Sequence, residues 1–186
     1  MDLCLDWWSA LMPVSHHEGK SFICDRLIRD NPIDILDVGP GEGIYSILMR
    51  PELDYGAYWE CVEVWEPYVK KFDLESKYDS VIVDDVRNLT PWQFMRDVVI
   101  FGDVIEHLPR DEGVEVLERA KERAEIVIVS IPIVHMPQGA YQGNPHEAHL
   151  AHYTFEEMYD IMSPCETFRG DVLGVFYWKR EVEYDV

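Results

Sequence analysis

Cysteine is scarce and scattered. Cys4, Cys24, Cys61 and Cys165 are the whole complement of 186 residues, and no C-x-x-C occurs. That spacing excludes a zinc ribbon and offers no disulfide frame, so a reduced, cytoplasmic setting is expected. Long apolar runs are missing as well. The longest, residues 126–134, is interrupted by Ser130 and Pro132, well short of the about 20 residues a membrane span needs. The first residues carry Asp2 and Asp6 and no basic group, which does not read as a secretory signal. Positive charge is the largest deficit: 16 Lys and Arg stand against 36 Asp and Glu, for a net charge of −20. Such a surface repels phosphate backbones and anionic lipid, which argues against nucleic-acid and membrane partners. It does not exclude a small anion held by backbone N–H groups. No repeat, low-complexity segment or Gly/Ser linker divides the chain, so residues 1–186 read as one domain. Within it, residues 1–31 form an N-terminal helical cap, in which Trp7, Trp8 and Met12 pack on the core or cap a cleft.

What the chain does have is a rhythm. Short apolar, β-branched runs occur at 33–38, 59–64, 80–83, 97–101 and 125–129. Runs without polar alternation suit strands buried on both faces of a parallel sheet. Helical stretches separate them. Residues 19–29 place Phe22, Ile23, Leu27 and Ile28 on one side before Asn31-Pro32. Glu66-Pro67 opens another helix with proline in its first turn. Residues 110–124 place Val114, Leu117, Ala120 and Ala124 on one face, with Glu115 and Arg119 paired at i,i+4. Thr154-Phe155-Glu156-Glu157 has the form of a capping box. Two extended pieces, about 166–171 and 175–179, close the chain as an antiparallel pair. The whole predicts a doubly wound α/β fold: a mostly parallel seven-stranded sheet with an antiparallel C-terminal hairpin. Ligands of such sheets bind beyond the carboxyl ends of the strands, near the switch in strand order.

A glycine turn sits where that rule points. Leu36-Asp37-Val38-Gly39-Pro40-Gly41-Glu42-Gly43 follows the first strand and leads into the helical residues 44–48. The spacing is G-x-G-x-G, not the G-x-G-x-x-G that seats a pyrophosphate. Glu63 falls 63 − 43 = 20 residues past the last glycine, at the end of the second strand. A carboxylate there can accept from both hydroxyls of a ribose. A glycine turn, a strand-end acid and no pyrophosphate cradle together indicate a nucleoside site. A nicotinamide-dependent oxidoreductase is disfavoured, because no Y-x-x-x-K accompanies the missing fingerprint.

With D-V-G-P-G-E-G, the acid in V-E-V-W-E-P, I-V-D-D-V and F-G-D-V-I-E-H-L in this order, the chain resembles class I S-adenosylmethionine-dependent methyltransferases. The resemblance covers residues 33–132 well and the rest more loosely. It implies a Rossmann-like methyltransferase fold, with S-adenosylmethionine as cofactor and S-adenosylhomocysteine as product. By the same resemblance Asp37, Gly39, Gly41 and Gly43 flank the methionine part, and Glu63 with the adjoining Val64 meets the ribose. Asp85 meets the adenine amino group, with the Val86 N–H near a ring nitrogen, and Asp103 sits beside the methionine moiety. Each has a plainer reading: Asp84-Asp85 as a solvated strand end, and Glu106-His107 as structure, the imidazole bonding a neighbouring loop. Asn88 and Thr90 read as the turn before a short helix at Pro91.

His135, His146, His149 and His152 crowd with Glu147 just past the fifth strand, in a substrate-side loop spanning residues 133–153. The spacing is not H-E-x-x-H, so no metal ligand is assigned, although imidazoles with a carboxylate can hold a divalent ion. An acceptor hydroxyl needs a base of suitable pKa. His135, His146 and His149 are the candidates by position, and His107 is a weaker one. The expectation is methyl transfer to a small-molecule acceptor, O- or N-directed, by a monomer or homodimer. Cofactor binding without transfer is the alternative.

Overall fold

A computed structural model describes residues 17–53 and 56–181. The expected cap residues Trp7, Trp8 and Met12, with Cys4, lie outside these. Seven strands form one sheet: β1 (Asp34–Val38), β2 (Tyr58–Glu63), β3 (Ser80–Val83), β4 (Val98–Gly102), β5 (Ile126–Pro132), β6 (Cys165–Arg169) and β7 (Leu173–Lys179). Their order across the sheet is β3-β2-β1-β4-β5-β7-β6. The first five run parallel, while β7 pairs antiparallel with both β5 and β6. The doubly wound, mostly parallel sheet with an antiparallel hairpin is therefore present as the sequence reading has it. The order reverses between β1 and β4, and a crevice opens at such a point.

The uninterrupted apolar runs reflect burial on two faces at once. On one face Leu36, Val38, Val99, Phe101, Val127 and Val129 pack against α5 (Arg110–Lys121) and α6 (Phe155–Met162). On the other, Ile35, Trp59, Cys61, Ile100 and Ile128 pack against α1 (Lys20–Asp30), α2 (Ile44–Met49), α3 (Glu66–Lys71) and α4 (Leu74–Lys77). Two strands depart from this. β3 and β6 are the sheet's edges, and β3 is only partly covered, with Val83 half exposed. An edge strand has one neighbour and a thinner helix layer, so an apolar run there does not imply full burial.

Helix faces needed smaller corrections. In α5 the buried residues are Gly113, Val116, Leu117 and Ala120, so Val116 takes the place expected of Val114. Arg119 does not spend its guanidinium on Glu115; it donates to the carbonyls of Arg87 and Leu89. In α1, Ile23 and Leu27 are buried but Ile28 is exposed. That helix ends at Asn31, which takes a left-handed conformation (φ 45°) and donates its N–H to Leu27 O at 2.8 Å. Thr154 caps α6 reciprocally: Glu157 N–H donates to its Oγ1 at 3.2 Å, and its own N–H donates to Glu157 Oε2 at 2.8 Å.

Candidate functional site

The carboxyl ends of β1, β2, β4 and β5 open onto a cleft of about 500 Å³. Among the described residues, eight acidic side chains line it against two basic ones, Lys20 and Arg87.

The glycine turn forms the floor. Gly39 lies at φ 61° with its N–H on Val62 O at 2.9 Å, which ties the turn to β2. A Cβ there would stand 2.6 Å from Val104 Cγ2, so the next strand's loop closes over it. Gly41, at φ 53°, is different: among the described residues nothing lies within 4 Å of where its Cβ would be. Gly43 starts α2, and Lys77 Nζ holds the turn from below by donating to Glu42 O at 2.9 Å.

Asp37 is the last inward-facing side chain before the turn and is fully buried. Burial pushes its carboxyl up to about 7, against the Tyr78 hydroxyl, which donates to Oδ2 at 2.6 Å, and the nearby Lys20 ammonium. Lys20 enters from α1, its ammonium 5.3 Å from the centre of the Tyr45 ring. Burial lowers its pKa, opposed by Asp103 and Asp37. At the end of β2, Glu63 is buried, and Trp65 N–H donates to its Oε1 at 2.7 Å. Burial again raises it to about 7, with Glu147 acting in the same sense. Val64 and Val86 line the cleft beside it.

Asp85 is already engaged. It accepts from Arg87 N–H and from the Arg87 guanidinium, which hold its pKa below the usual carboxylate range. Of its about four lone-pair sites, part remains open to a further donor. Asp84 accepts from the Asn88 side chain, and Thr90 forms a capping box with Gln93. Asp103 follows β4 in a left-handed conformation, φ 56°, with its N–H on Ser130 O at 2.9 Å. A non-glycine residue held there at a sheet's carboxyl edge is a frequent mark of a functional turn.

Residues 133–153 cross the same edge. The segment is bound to the scaffold through Glu106, whose carbonyl accepts from the N–H groups of Leu150 (2.8 Å) and Ala151 (3.0 Å). His107 Nδ1 lies 3.2 Å from Ala148 O, which is the loop contact of the plainer reading. The four loop histidines are not brought together. His146 reaches the cleft beside Trp65, with ring centroids 6.0 Å apart. His149 also lines it and meets His107, with centroids 5.0 Å apart. His135 and His152 instead pair with each other at 5.4 Å and line a neighbouring cavity of about 190 Å³. The residues that sequence reasoning missed are Lys20, Tyr45, Tyr68 and Tyr78, all lining or backing the cleft. None belongs to a motif, and packing alone carries them there.

No family model and no curated protein matches the sequence. Solved structures do resemble the chain in shape. The N-terminal domain of EvdMO1, crystallised with SAH bound, superposes with a TM-score of 0.64 at 12% identity, covering 87% of this chain and 81% of that one. The PH0226 protein of Pyrococcus horikoshii OT3 gives 0.63 at 16% identity, covering 87% of each. The small RNA methyltransferase HEN1 gives 0.66 at 14% identity; the match covers 94% of this chain and 27% of that one. At such identities the likeness is one of architecture. The chain has the Rossmann-like methyltransferase fold.

Proposed function

We propose that this protein transfers a methyl group from S-adenosylmethionine to a small-molecule acceptor, with oxygen favoured over nitrogen. One observation carries the reading. Glu63, buried at the end of β2, faces the same cleft as the glycine turn whose Gly41 leaves open space for a ligand's close approach. The donor set fits the cofactor. Glu63 can accept from two ribose hydroxyls, the remaining acceptor capacity of Asp85 can meet an exocyclic amine, and Val86 offers a backbone N–H. In this reading Asp37 and Asp103 hold the cofactor's cationic amino-acid end, and an acidic cleft favours a positively charged ligand. When bound, the cofactor supplies a methyl group on a cationic sulfur, open to in-line attack.

The chain's own work is alignment, exclusion of water and proton handling. Residues 133–153 cover the cleft. His149 lies at its Glu106–His107 end, whereas His146 lies beside Trp65 and near Asp85, at the end read as the nucleoside site, so His149 is the better placed of the two for an acceptor. For His149 the free ring atom is Nε2, since Nδ1 is bound to Met136 O at 2.5 Å. His135 faces the smaller cavity, and a direct role for it would require the acceptor to extend there. The excess of acid around the cleft supports a small acceptor over a nucleic acid. We take the protein to act as a monomer or homodimer in the cytoplasm.

Calorimetric titration with S-adenosylhomocysteine tests the cofactor site. Losing a charged hydrogen bond costs about 1.5–3 kcal/mol, so Glu63→Ala should weaken binding roughly 10- to 150-fold. Unchanged affinity would overturn the assignment. Tight binding with no transfer to any hydroxyl or amine acceptor would leave a cofactor-binding protein in place of an enzyme.

A further inference from the structure

We infer that Glu106, His107 and His149 form a site for a divalent transition-metal ion at the acceptor end of the cleft. One ligand atom from each lies within 4.8 Å of the others. Nδ1 of His107 lies against Ala148 O and Nδ1 of His149 against Met136 O. A nitrogen facing a carbonyl carries the proton, so Nε2 of His149 keeps its lone pair, while the His107 ring is held by the backbone of both Ala148 and Asp103. Metal-binding histidines are prepared in this way, with the far nitrogen held by a carbonyl or carboxylate.

The second observation is the state of Glu106. It is 2% exposed, and among the described residues neither carboxyl oxygen has a hydrogen-bond partner. Burying such a group without a partner is costly, and native structures rarely leave one unexplained. Among the described residues no Lys or Arg lines the smaller cavity that Glu106 shares with His149, and the main cleft is strongly acidic. A bound cation would satisfy the carboxylate and the His149 nitrogen together, with a His107 ring nitrogen in reach. The scaffold is also cross-braced before any ion arrives, because the Glu106 carbonyl and the His107 ring both bind residues 148–151.

Two imidazoles and one carboxylate form a borderline donor set. It suits Zn²⁺, Mn²⁺, Fe²⁺ or Co²⁺ better than Ca²⁺, which takes six to eight oxygens. With metal–nitrogen bonds of about 2.0–2.1 Å, neighbouring ligand atoms would close to about 3 Å. Three protein ligands leave a coordination position open. Glu106 and His149 wall both cavities, so an acceptor in either can reach it.

This inference rests on the methyl-transfer reading for its role but not for its existence. An acceptor hydroxyl at the open position would lose its proton near neutral pH. The O–H bond breaks and its proton passes to water. The oxygen's electron pair then forms the O–CH3 bond as the S–CH3 bond breaks, that pair remaining on sulfur. His149 thereby acts as a ligand and not as the base.

The test uses the full chain, stripped with chelator and titrated with MnCl2 or CoCl2 without S-adenosylhomocysteine. Calorimetry, the loss of the free Mn²⁺ paramagnetic-resonance signal and the visible absorption of Co²⁺ report binding. One ion per chain is expected. Glu106→Gln and His149→Ala should each weaken it at least about tenfold, since even outer partners of metal ligands are worth 10- to 100-fold. His152→Ala should leave it unchanged. Equal binding by wild type and His149→Ala would overturn the site, as would failure of the wild type to bind. His149 lies on the loop, so its variant carries the test if Glu106→Gln fails to fold. Glu63→Ala separates the two readings: it should lose S-adenosylhomocysteine and keep the metal.

Discussion

Three buried carboxyl groups, Asp37, Glu63 and Glu106, set the acid–base character of the cleft. Glu63 is pushed up to about 7 by burial, yet a ribose would bond best to its ionised form. Binding should therefore release a proton near neutral pH, and S-adenosylhomocysteine affinity should rise from pH 6 to pH 8. The limit is tenfold per pH unit below the free pKa. Calorimetry at several pH values measures this, and Glu63→Gln should flatten the slope. The glycine turn offers a second residue-level test. Gly39→Ala places a methyl group 2.6 Å from Val104 Cγ2 in a left-handed conformation, so it should lower stability clearly. Gly41→Ala meets nothing, so its stability cost should be only the left-handed strain, about 1 kcal/mol. Its binding of S-adenosylhomocysteine should suffer more than its melting temperature, and Gly41→Val should abolish binding. Equal loss of stability in both alanine variants would contradict this division of roles.

At the level of elements, the sheet edge is assembled from separate braces. α6 is anchored by its Thr154–Glu157 box and by Phe155 against Phe176 of β7, with ring centroids 5.0 Å apart. Thr154→Ala removes a cap worth about 1 kcal/mol. Scanning calorimetry should show a fall of about 2–4 °C, with cofactor affinity unchanged. Residues 133–153 are rich in Gly, Pro and Gln, a composition that suits a mobile cover, but the structure supplies ties that composition does not show. They include the Glu106 carbonyl to Leu150 and Ala151, Gln138 Nε2 to Glu147 O at 2.7 Å, and Lys71 Nζ to Gln142 at 2.9 Å. The last of these links the cover to α3 across the cleft and is the contact that opening would break.

Over the whole molecule, acids of opposite behaviour bound the stable pH range. Burial alone would raise Asp30, but hydrogen bonds from Lys179, Tyr177 and Arg29 hold it at about 2. Its contribution is present above the unfolded value near 4 and is lost as pH falls through about 2. Asp37 works in reverse. Raised to about 7 by burial, it binds a proton in the folded state where the unfolded chain does not. Its contribution is present below about 4 and is lost as pH rises through about 7, roughly 4 kcal/mol at most. The ligand-free protein should thus melt highest in mildly acid solution, and Asp37→Asn should reduce the decline between pH 5 and pH 8. The net charge of −20 has its own consequence. Gel-shift assays with RNA or DNA should show no tight, salt-sensitive binding; a shift that weakens with salt would overturn the small-acceptor reading.

The sequence by itself determined the sheet, because strands buried on both faces must be written as apolar runs, and those runs lie at β1, β2, β4 and β5. It also located the glycine turn and the acids Asp37, Glu63, Asp85 and Asp103, since each lies at or just past the end of its own strand and needs no distant partner to be placed. Helix faces and edge strands were legible only in part: periodicity marks an apolar stripe but not how far a neighbouring layer covers it, as Ile28 and Val83 show. Only the tertiary structure decided which histidines share a wall. His107 and His149 are 42 residues apart in sequence yet in ring contact, while His135 and His152, close to His149 in sequence, turn to another cavity. The same holds for Lys20 and Tyr78, which reach Asp37 from α1 and from the end of α4. Contacts of that kind depend on how helices seat on the sheet, and no local spacing encodes them.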